Sequence, residues 1–158
     1  MTTAVDTNVL LAILYEDAHT EASEAELRRA YQDGKLVVTS IVYAELAADG
    51  HFDTVADLNQ FLADFSIQSV EPSQKALFHA GQQFQRYTKR RPDSLQCPSC
   101  GTKQTIVCEE CGEDLSPRQH IAADFVIGGH AVTDADALVS FDAAFYETYF
   151  PSLTVYPE

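Results

Sequence analysis

The chain has 158 residues, 46% of them hydrophobic and 10% aromatic, which is enough apolar material for one domain with a real core. That excludes a disordered tail or a fibrous repeat, and no apolar run approaches the roughly 20 residues of a membrane span. Lys and Arg total 10 against 24 Asp and Glu, a formal net charge of −14, so a uniformly exposed surface of this sign repels nucleic acid at low salt.

Thr2 to Val5 favours a strand, and Asp6-Thr7-Asn8 follows, where Thr7 or Asn8 can cap a helix. Val9 to Leu14 is apolar on nearly every side, which predicts a buried helix. A second helix is expected from Thr20 to Gln32, stopped by Gly34, and then a β-branched strand from Lys35 to Thr39. Ser40 can cap a helix from Ile41 to Ala48, ending near Gly50. A helix over Asp53 to Phe65, a strand over Ile67 to Val70 and a long amphipathic helix from Pro72 to about Arg90 complete this half.

From Pro92 to Leu115 the chain turns rich in Pro, Gly, Cys and charge, without helical period. Ser116-Pro117-Arg118-Gln119 then reads as a helix start with a capping box, leading to about Ala131. A strand at Ala137 to Ser140, a short helix at Ala143 to Tyr149 and a last strand at Leu153 to Tyr156 follow. Strands alternating with helices predict an α/β domain with a mostly parallel sheet, residues 1–91 and 116–158, split by an insertion at 92–115. No internal repeat or low-complexity segment is evident. The start of the chain lacks the basic stretch and cleavage site of a signal peptide, so a cytoplasmic protein is expected.

The acidity has two readings. One is a protein that never meets a polyanion. The other is a surface suited to concentrated salt, where screening is complete within about 3 Å at molar ionic strength. The composition, with only four Lys, resembles that of halophilic archaeal proteins, which favours the second reading. Six of the ten cations lie between Arg86 and Arg118, a window of formal net +1, which leaves −15 for the rest. Arg86, Lys89 and Arg90 share one helical face, either an RNA contact or a solvated basic surface.

All four cysteines lie in the insertion, as Cys97-Pro98-Ser99-Cys100-Gly101 and Cys108-Glu109-Glu110-Cys111-Gly112. Two C-x-x-C pairs, each followed by Gly, suit two facing knuckles around one Zn²⁺, a closed structural site of zinc-ribbon type. Two disulfides or four free thiols are the other readings, and a cytoplasmic setting disfavours the disulfides.

Asp6, Glu45, Asp124 and Asp142 each sit in apolar surroundings or at a strand's end. Any one alone is explained by a helix cap, a surface carboxylate or an ion pair. Together, with few bases to pair them, converging carboxylates would be forced to protonate unless a hard divalent ion joined them. Oxygen ligands alone suit Mg²⁺ or Mn²⁺. Asp6 and Asp142 follow predicted strands, where parallel sheets place ligand crevices. Asp134 and Asp136 read as a turn pair, and the five histidines form no nucleophilic triad; His120 lies one helical turn before Asp124.

Four stretches, Val5 to Leu11, Tyr43 to Leu46, Ala123 to Ala131 and Ala135 to Tyr146, resemble the acidic motifs of PIN-domain ribonucleases, most closely the VapC-type toxins of toxin–antitoxin pairs. The ending, Tyr149 to Val155, is similar to that subgroup's last strand. The resemblance implies a PIN-like parallel sheet flanked by helices. It also implies an endoribonuclease whose Asp6, Glu45, Asp124 and Asp142 ligate Mg²⁺ or Mn²⁺, with Asn8 and Ser140 orienting carboxylates or water. It further implies an RNA substrate, an inhibitory antitoxin and a homodimer. The inserted ribbon departs from that pattern; ribbons also accompany PIN nucleases that mature ribosomal RNA, which is the alternative enzyme. A non-catalytic docking module is the alternative from another class.

Overall fold

A computed structural model describes residues 1–90, 94–97, 100–115 and 121–157. In chain order the first half runs β1 (Thr2–Val5), α1 (Thr7–Leu14), α2 (Thr20–Asp33), β2 (Lys35–Thr39), α3 (Ser40–Asp49), α4 (Val55–Asp64), β3 (Ile67–Val70) and α5 (Gln74–Arg90). The insertion carries β4 (Leu95–Gln96), β5 (Lys103–Gln104), β6 (Ile106–Val107) and β7 (Asp114–Leu115). The chain then returns through α6 (Ala123–Asp134), β8 (Ala137–Val139), α7 (Ala143–Tyr149) and β9 (Val155–Tyr156).

Five strands form one sheet in the order β3-β2-β1-β8-β9, and every neighbouring pair is parallel. The expected α/β class and parallel sheet are therefore present. Because β1 is central, with β2 on one side and β8 on the other, the strand order reverses at β1. Such a reversal is where open parallel sheets place their ligand crevices, here at the carboxyl ends of β1 and β8. The strands read as apolar runs because helices cover the sheet: Val5, Val38, Leu138 and Val139 are buried with Leu10, Leu46, Phe125 and Ile127 from the helices. No helix among the described residues is long and apolar enough to cross a membrane.

Local chemistry sets the helix starts, sometimes one residue from where the pattern pointed. Asp6, rather than Thr7 or Asn8, caps α1 by accepting from the Thr7 N–H. Thr39, rather than Ser40, caps α3, while the Ser40 hydroxyl donates to Glu71 instead. The fourth helix starts at Val55, not Asp53, because Thr54 and Asp57 form a reciprocal capping box. Gly50 stops α3 in the left-handed region at φ 88°, as a residue without Cβ can. The proposed start at Ser116 to Gln119 lies outside the described residues; Ile121 and Ala122 are not helical, and α6 continues past Ala131 to Asp134.

The insertion corrects the reading that the chain holds no repeat. Its two antiparallel hairpins pair Leu95 with Gln104 and Gln96 with Lys103, then Ile106 with Leu115 and Val107 with Asp114. Every pairing of the first recurs in the second eleven residues later.

Helices α5 and α6 pack closely because Gly129 has no side chain. A Cβ there would stand 2.6 Å from the Ala76 carbonyl oxygen and 2.9 Å from the Ala80 Cβ, both on buried positions of α5. Gly81, one residue along α5, faces open space. Gly129→Ala is therefore expected to destabilise the fold by about 1–3 kcal/mol. Gly81→Ala is expected to stabilise it by up to about 1 kcal/mol through backbone entropy. Urea unfolding midpoints of the two variants against the parent check the opposite signs.

Candidate functional site

Asp6 stands at the reversal point, closing β1 and opening α1, and it is 4% exposed. Its N–H bonds to the Val139 carbonyl at 3.0 Å, which fixes it to the end of β8. Its carboxylate is held from four directions. Oδ1 accepts from the Thr7 N–H at 2.7 Å. Oδ2 accepts from the Ser140 hydroxyl at 2.6 Å, the Tyr146 hydroxyl at 3.0 Å and the Asn8 amide at 3.1 Å. Burial pushes the Asp6 carboxyl above its ordinary range, while the bonds from Ser140, Tyr146 and Thr7 pull the other way and the charge of Asp142 adds to the rise. The Tyr146 hydroxyl is pushed up by burial and by the charges of Asp6 and Asp124, so it stays protonated and donates.

Three more carboxylates gather around this one. Glu45 projects from α3, and its Oε2 accepts from the Thr7 hydroxyl at 2.5 Å. Asp142 caps α7, with Oδ1 accepting from the Phe145 N–H at 3.3 Å, while its own N–H donates to Ser140 Oγ at 3.0 Å. Asp124 lies in the first turn of α6, where lost hydration and the charges of Asp6, Glu45 and Asp142 push it up to about 6. The four acids are thus electrostatic neighbours. Among the described residues no Lys, Arg or His forms an ion pair with any of them.

Asn8 and Ser140 brace the same point. The Asn8 amide donates to Ser140 Oγ at 3.2 Å, and its carbonyl oxygen accepts from the Phe141 N–H at 3.2 Å, so one side chain ties the ends of β1 and β8 together. Thr7 and Tyr146 were not singled out from the sequence. A signal for each was present: Thr7 directly follows Asp6, and Tyr146 lies four residues after Asp142, on the same side of a helix.

The spare acids work elsewhere. Asp136 accepts from the Thr2 N–H at 2.7 Å, at the amino end of β1. Asp134 accepts from the Ser73 N–H at 2.8 Å and hydroxyl at 2.6 Å, where α5 begins. Both are structural ties. His130 is buried against Asp134 at 3.3 Å, and His19 packs on the Phe141 ring with centroids 4.7 Å apart. His120 lies outside the described residues.

Arg86, Lys89 and Arg90 are exposed on the last turns of α5, and among the described residues none has an acidic partner. Tyr87, from the same turn, packs on Phe125 with ring centroids 5.5 Å apart, and Phe125 directly follows Asp124. The basic end of α5 therefore stands at the same end of α6 as the acids. Cys97, Cys100, Cys108 and Cys111 are free thiols in the two hairpins of the insertion.

Among the described residues no three His, Cys, Asp or Glu side chains form a ready-made metal cage. The donor set nonetheless fits a hard divalent cation. It is all oxygen, it has no cationic partner, and Asp6 Oδ1 carries one backbone bond where Oδ2 carries three. Because Asp124 binds its proton more tightly folded than unfolded, it stabilises the fold at pH below about 4 and that contribution is lost as pH rises through about 6. Metal-free protein should accordingly lose stability across this window, and Asp124→Asn should flatten the slope. Mg²⁺ or Mn²⁺ should raise Tm more at about pH 7.5 than at about pH 5, since protons compete with the ion below Asp124's midpoint. Thermal unfolding across pH, with and without each ion, checks both.

With this geometry in hand, similarity to known proteins is informative. The PIN domain family profile matches residues 3–151. No curated protein matches the chain. Among solved structures it is similar to VapBC2 from Rickettsia felis bound to a DNA fragment from its promoter, at 18% identity and a TM-score of 0.59, covering 98% of this chain and 97% of that one. It is likewise similar to VapBC-1 from nontypeable Haemophilus influenzae, at 18% identity and a TM-score of 0.59, covering 98% and 96%. At such identity these two speak to the fold alone. The family match spans nearly the whole sequence, including the carboxylate-bearing segments at Asp6, Glu45, Asp124 and Asp142, and the chain belongs to the PIN domain family.

Proposed function

We propose that this chain is a metal-dependent endoribonuclease that hydrolyses RNA phosphodiester bonds, acting as the toxin of a toxin–antitoxin pair. The observation that carries the reading is a group of four carboxylates, without cationic partners among the described residues, about the point where the strand order reverses, one of them buried and fastened by four donors. Asp6, Glu45, Asp124 and Asp142 would hold one or two Mg²⁺ or Mn²⁺ ions. Such an ion, when bound, lowers the pKa of its water and stabilises charge developing on the phosphate.

The chain's own residues do the positioning. Ser140, Asn8 and Tyr146 occupy Asp6 Oδ2 and leave Oδ1 with the single Thr7 N–H, and Thr7 restrains Glu45. Asp124 releases its proton near pH 6 to complete the anionic set, so activity should rise through that pH. Arg86, Lys89 and Arg90 would meet the RNA backbone. In a chain of net charge −14, these unpaired cations beside the acidic crevice are where a polyanion can approach, aided by the salt that a halophilic cytoplasm supplies. The nuclease body is assigned to residues 1–91 and 116–158, with 92–115 as an appended unit. A cognate antitoxin that covers the crevice and a homodimeric state belong to the same reading.

Purified protein incubated with structured RNAs in high KCl, with Mg²⁺ or Mn²⁺, should cleave them. Asp6→Asn should lower the rate by at least about 100-fold in protein whose far-UV circular dichroism still shows the folded domain. Equal cleavage by both proteins would overturn the assignment, and no cleavage by either across salts and metals would favour a docking module. An antitoxin encoded beside the chain and silencing it would separate the toxin from a ribosomal-RNA-processing nuclease. Charge reversal at Arg86 and Lys89 should raise KM with kcat little changed. It should also reduce the salt slope of RNA binding by about 0.7 per lost phosphate contact, as read from titrations over a range of KCl.

A further inference from the structure

We propose that the insertion binds one Zn²⁺ per chain through Cys97, Cys100, Cys108 and Cys111, a structural site separate from the carboxylates and independent of the nuclease reading.

The eleven-residue repeat extends to the backbone hydrogen bonds around the cysteines. In the first hairpin the Cys97 N–H bonds to the Thr102 carbonyl at 2.9 Å and the Gly101 N–H returns to the Cys97 carbonyl at 2.9 Å. In the second, the Cys108 N–H bonds to the Glu113 carbonyl at 2.8 Å and the Gly112 N–H returns to the Cys108 carbonyl at 2.9 Å. Gly101 and Gly112 take up the positive φ that closes each turn, 72° and 77°. Within each turn the two thiols lie within hydrogen-bonding reach of each other. Backbone N–H groups also point at sulfur, from Thr102 to Cys100 and from Glu110 and Cys111 to Cys108. The same backbone hydrogen bonds thus recur eleven residues on, each set holding a pair of cysteines, and Thr105 alone separates the first hairpin from the second.

Two-residue strands do not hold a hairpin by themselves, and Ile106, Val107 and Leu115 remain 42–51% exposed, so the described residues of the insertion form no core of their own. Something must fasten it. A disulfide within either C-x-x-C closes only a four-residue loop and joins nothing between the hairpins. Among the described residues the two pairs of sulfurs are not gathered into one cluster, and one ion taking two sulfurs from each would draw them together and join both hairpins. Four soft thiolates select zinc over the hard ions suited to the carboxylates, and a filled tetrahedron leaves no open position for chemistry. Binding sends the thiol protons to solvent, so no oxidant or reductant is required.

The test uses the full chain purified under reducing conditions and loaded with Zn²⁺ alone, followed by metal analysis and thiol titration after removal of loosely held ion. The expected result is one zinc per chain, retained in Asp6→Asn and lost in both Cys97→Ser and Cys108→Ser. Co²⁺ in its place should give the intense visible bands of a tetrahedral thiolate site. Far-UV circular dichroism and the unfolding transition of the PIN body report whether each Cys variant still folds. If neither does, the Co²⁺ spectrum of the parent decides: thiolate bands support the site and their absence overturns it. No bound zinc, disulfide-linked cysteines, zinc kept in one Cys variant, or half a zinc per chain shared between copies would each overturn the proposal.

Discussion

The burial of one carboxylate organises this protein. Asp6 must sit at the end of the central strand, because β1 is where the strand order reverses and the crevice opens. An ionised group so enclosed costs several kcal/mol in lost hydration unless it is well bonded. Four donors answer that cost, each contributing about 1.5–3 kcal/mol to a charged acceptor. They come from α1, from the end of β8 and from α7, so compensating one charge also locks three segments onto β1. What hydrogen bonds cannot offset is the mutual repulsion of Asp6, Glu45, Asp124 and Asp142, which adds to the larger effect of burial in raising Asp124. That residual repulsion is the physical basis for assigning a cation to the site.

The same residue type does different work according to where it falls. Asp6 and Asp142 follow strands and cap the helices after them, so each carboxylate meets a helix amino terminus, whose partial positive charge favours it. Asp136 lies before its strand and accepts a backbone N–H from Thr2. Parallel strands make this division possible. All five expose their carboxyl ends on one side, so chemistry concentrates there and the opposite side is left to closure.

Much of this was legible in the sequence, and the failures have physical causes. The apolar runs located all five sheet strands, because a sheet covered on both faces writes itself as β-branched residues between turn signals. The caps slipped by a residue at Asp6 and Thr39, since several neighbouring side chains can accept the same N–H and only the backbone angle decides. Asn8 and Ser140 were expected beside Asp6 and do bond to it. Tyr146 was not, because a buried aromatic in a short helix reads as core until its hydroxyl is seen to need a partner. The hairpin repeat escaped because two-residue strands leave no periodicity; the Cys and Gly spacing carried what signal there was.

Two charge problems remain distinct in this molecule. The first is local and concerns carboxylates whose charges act on one another in a partly buried site, where salt screens poorly and a bound ion or a proton relieves the repulsion. The second is global and concerns a net charge of −14 facing a polyanion, where salt screens well but has no direction. Direction has to come from the few cations, and these are segregated. Arg86, Lys89 and Arg90 close α5 next to the turn where Phe125 and Asp124 open α6, while the neighbouring insertion adds Lys103. An acidic surface with a basic edge at this end of α5 repels a polyanion less there than over its acidic remainder. The segregation of charge along the chain thus does for substrate approach what the donors around Asp6 do for the site itself: each confines a necessary charge to the one place where it is compensated.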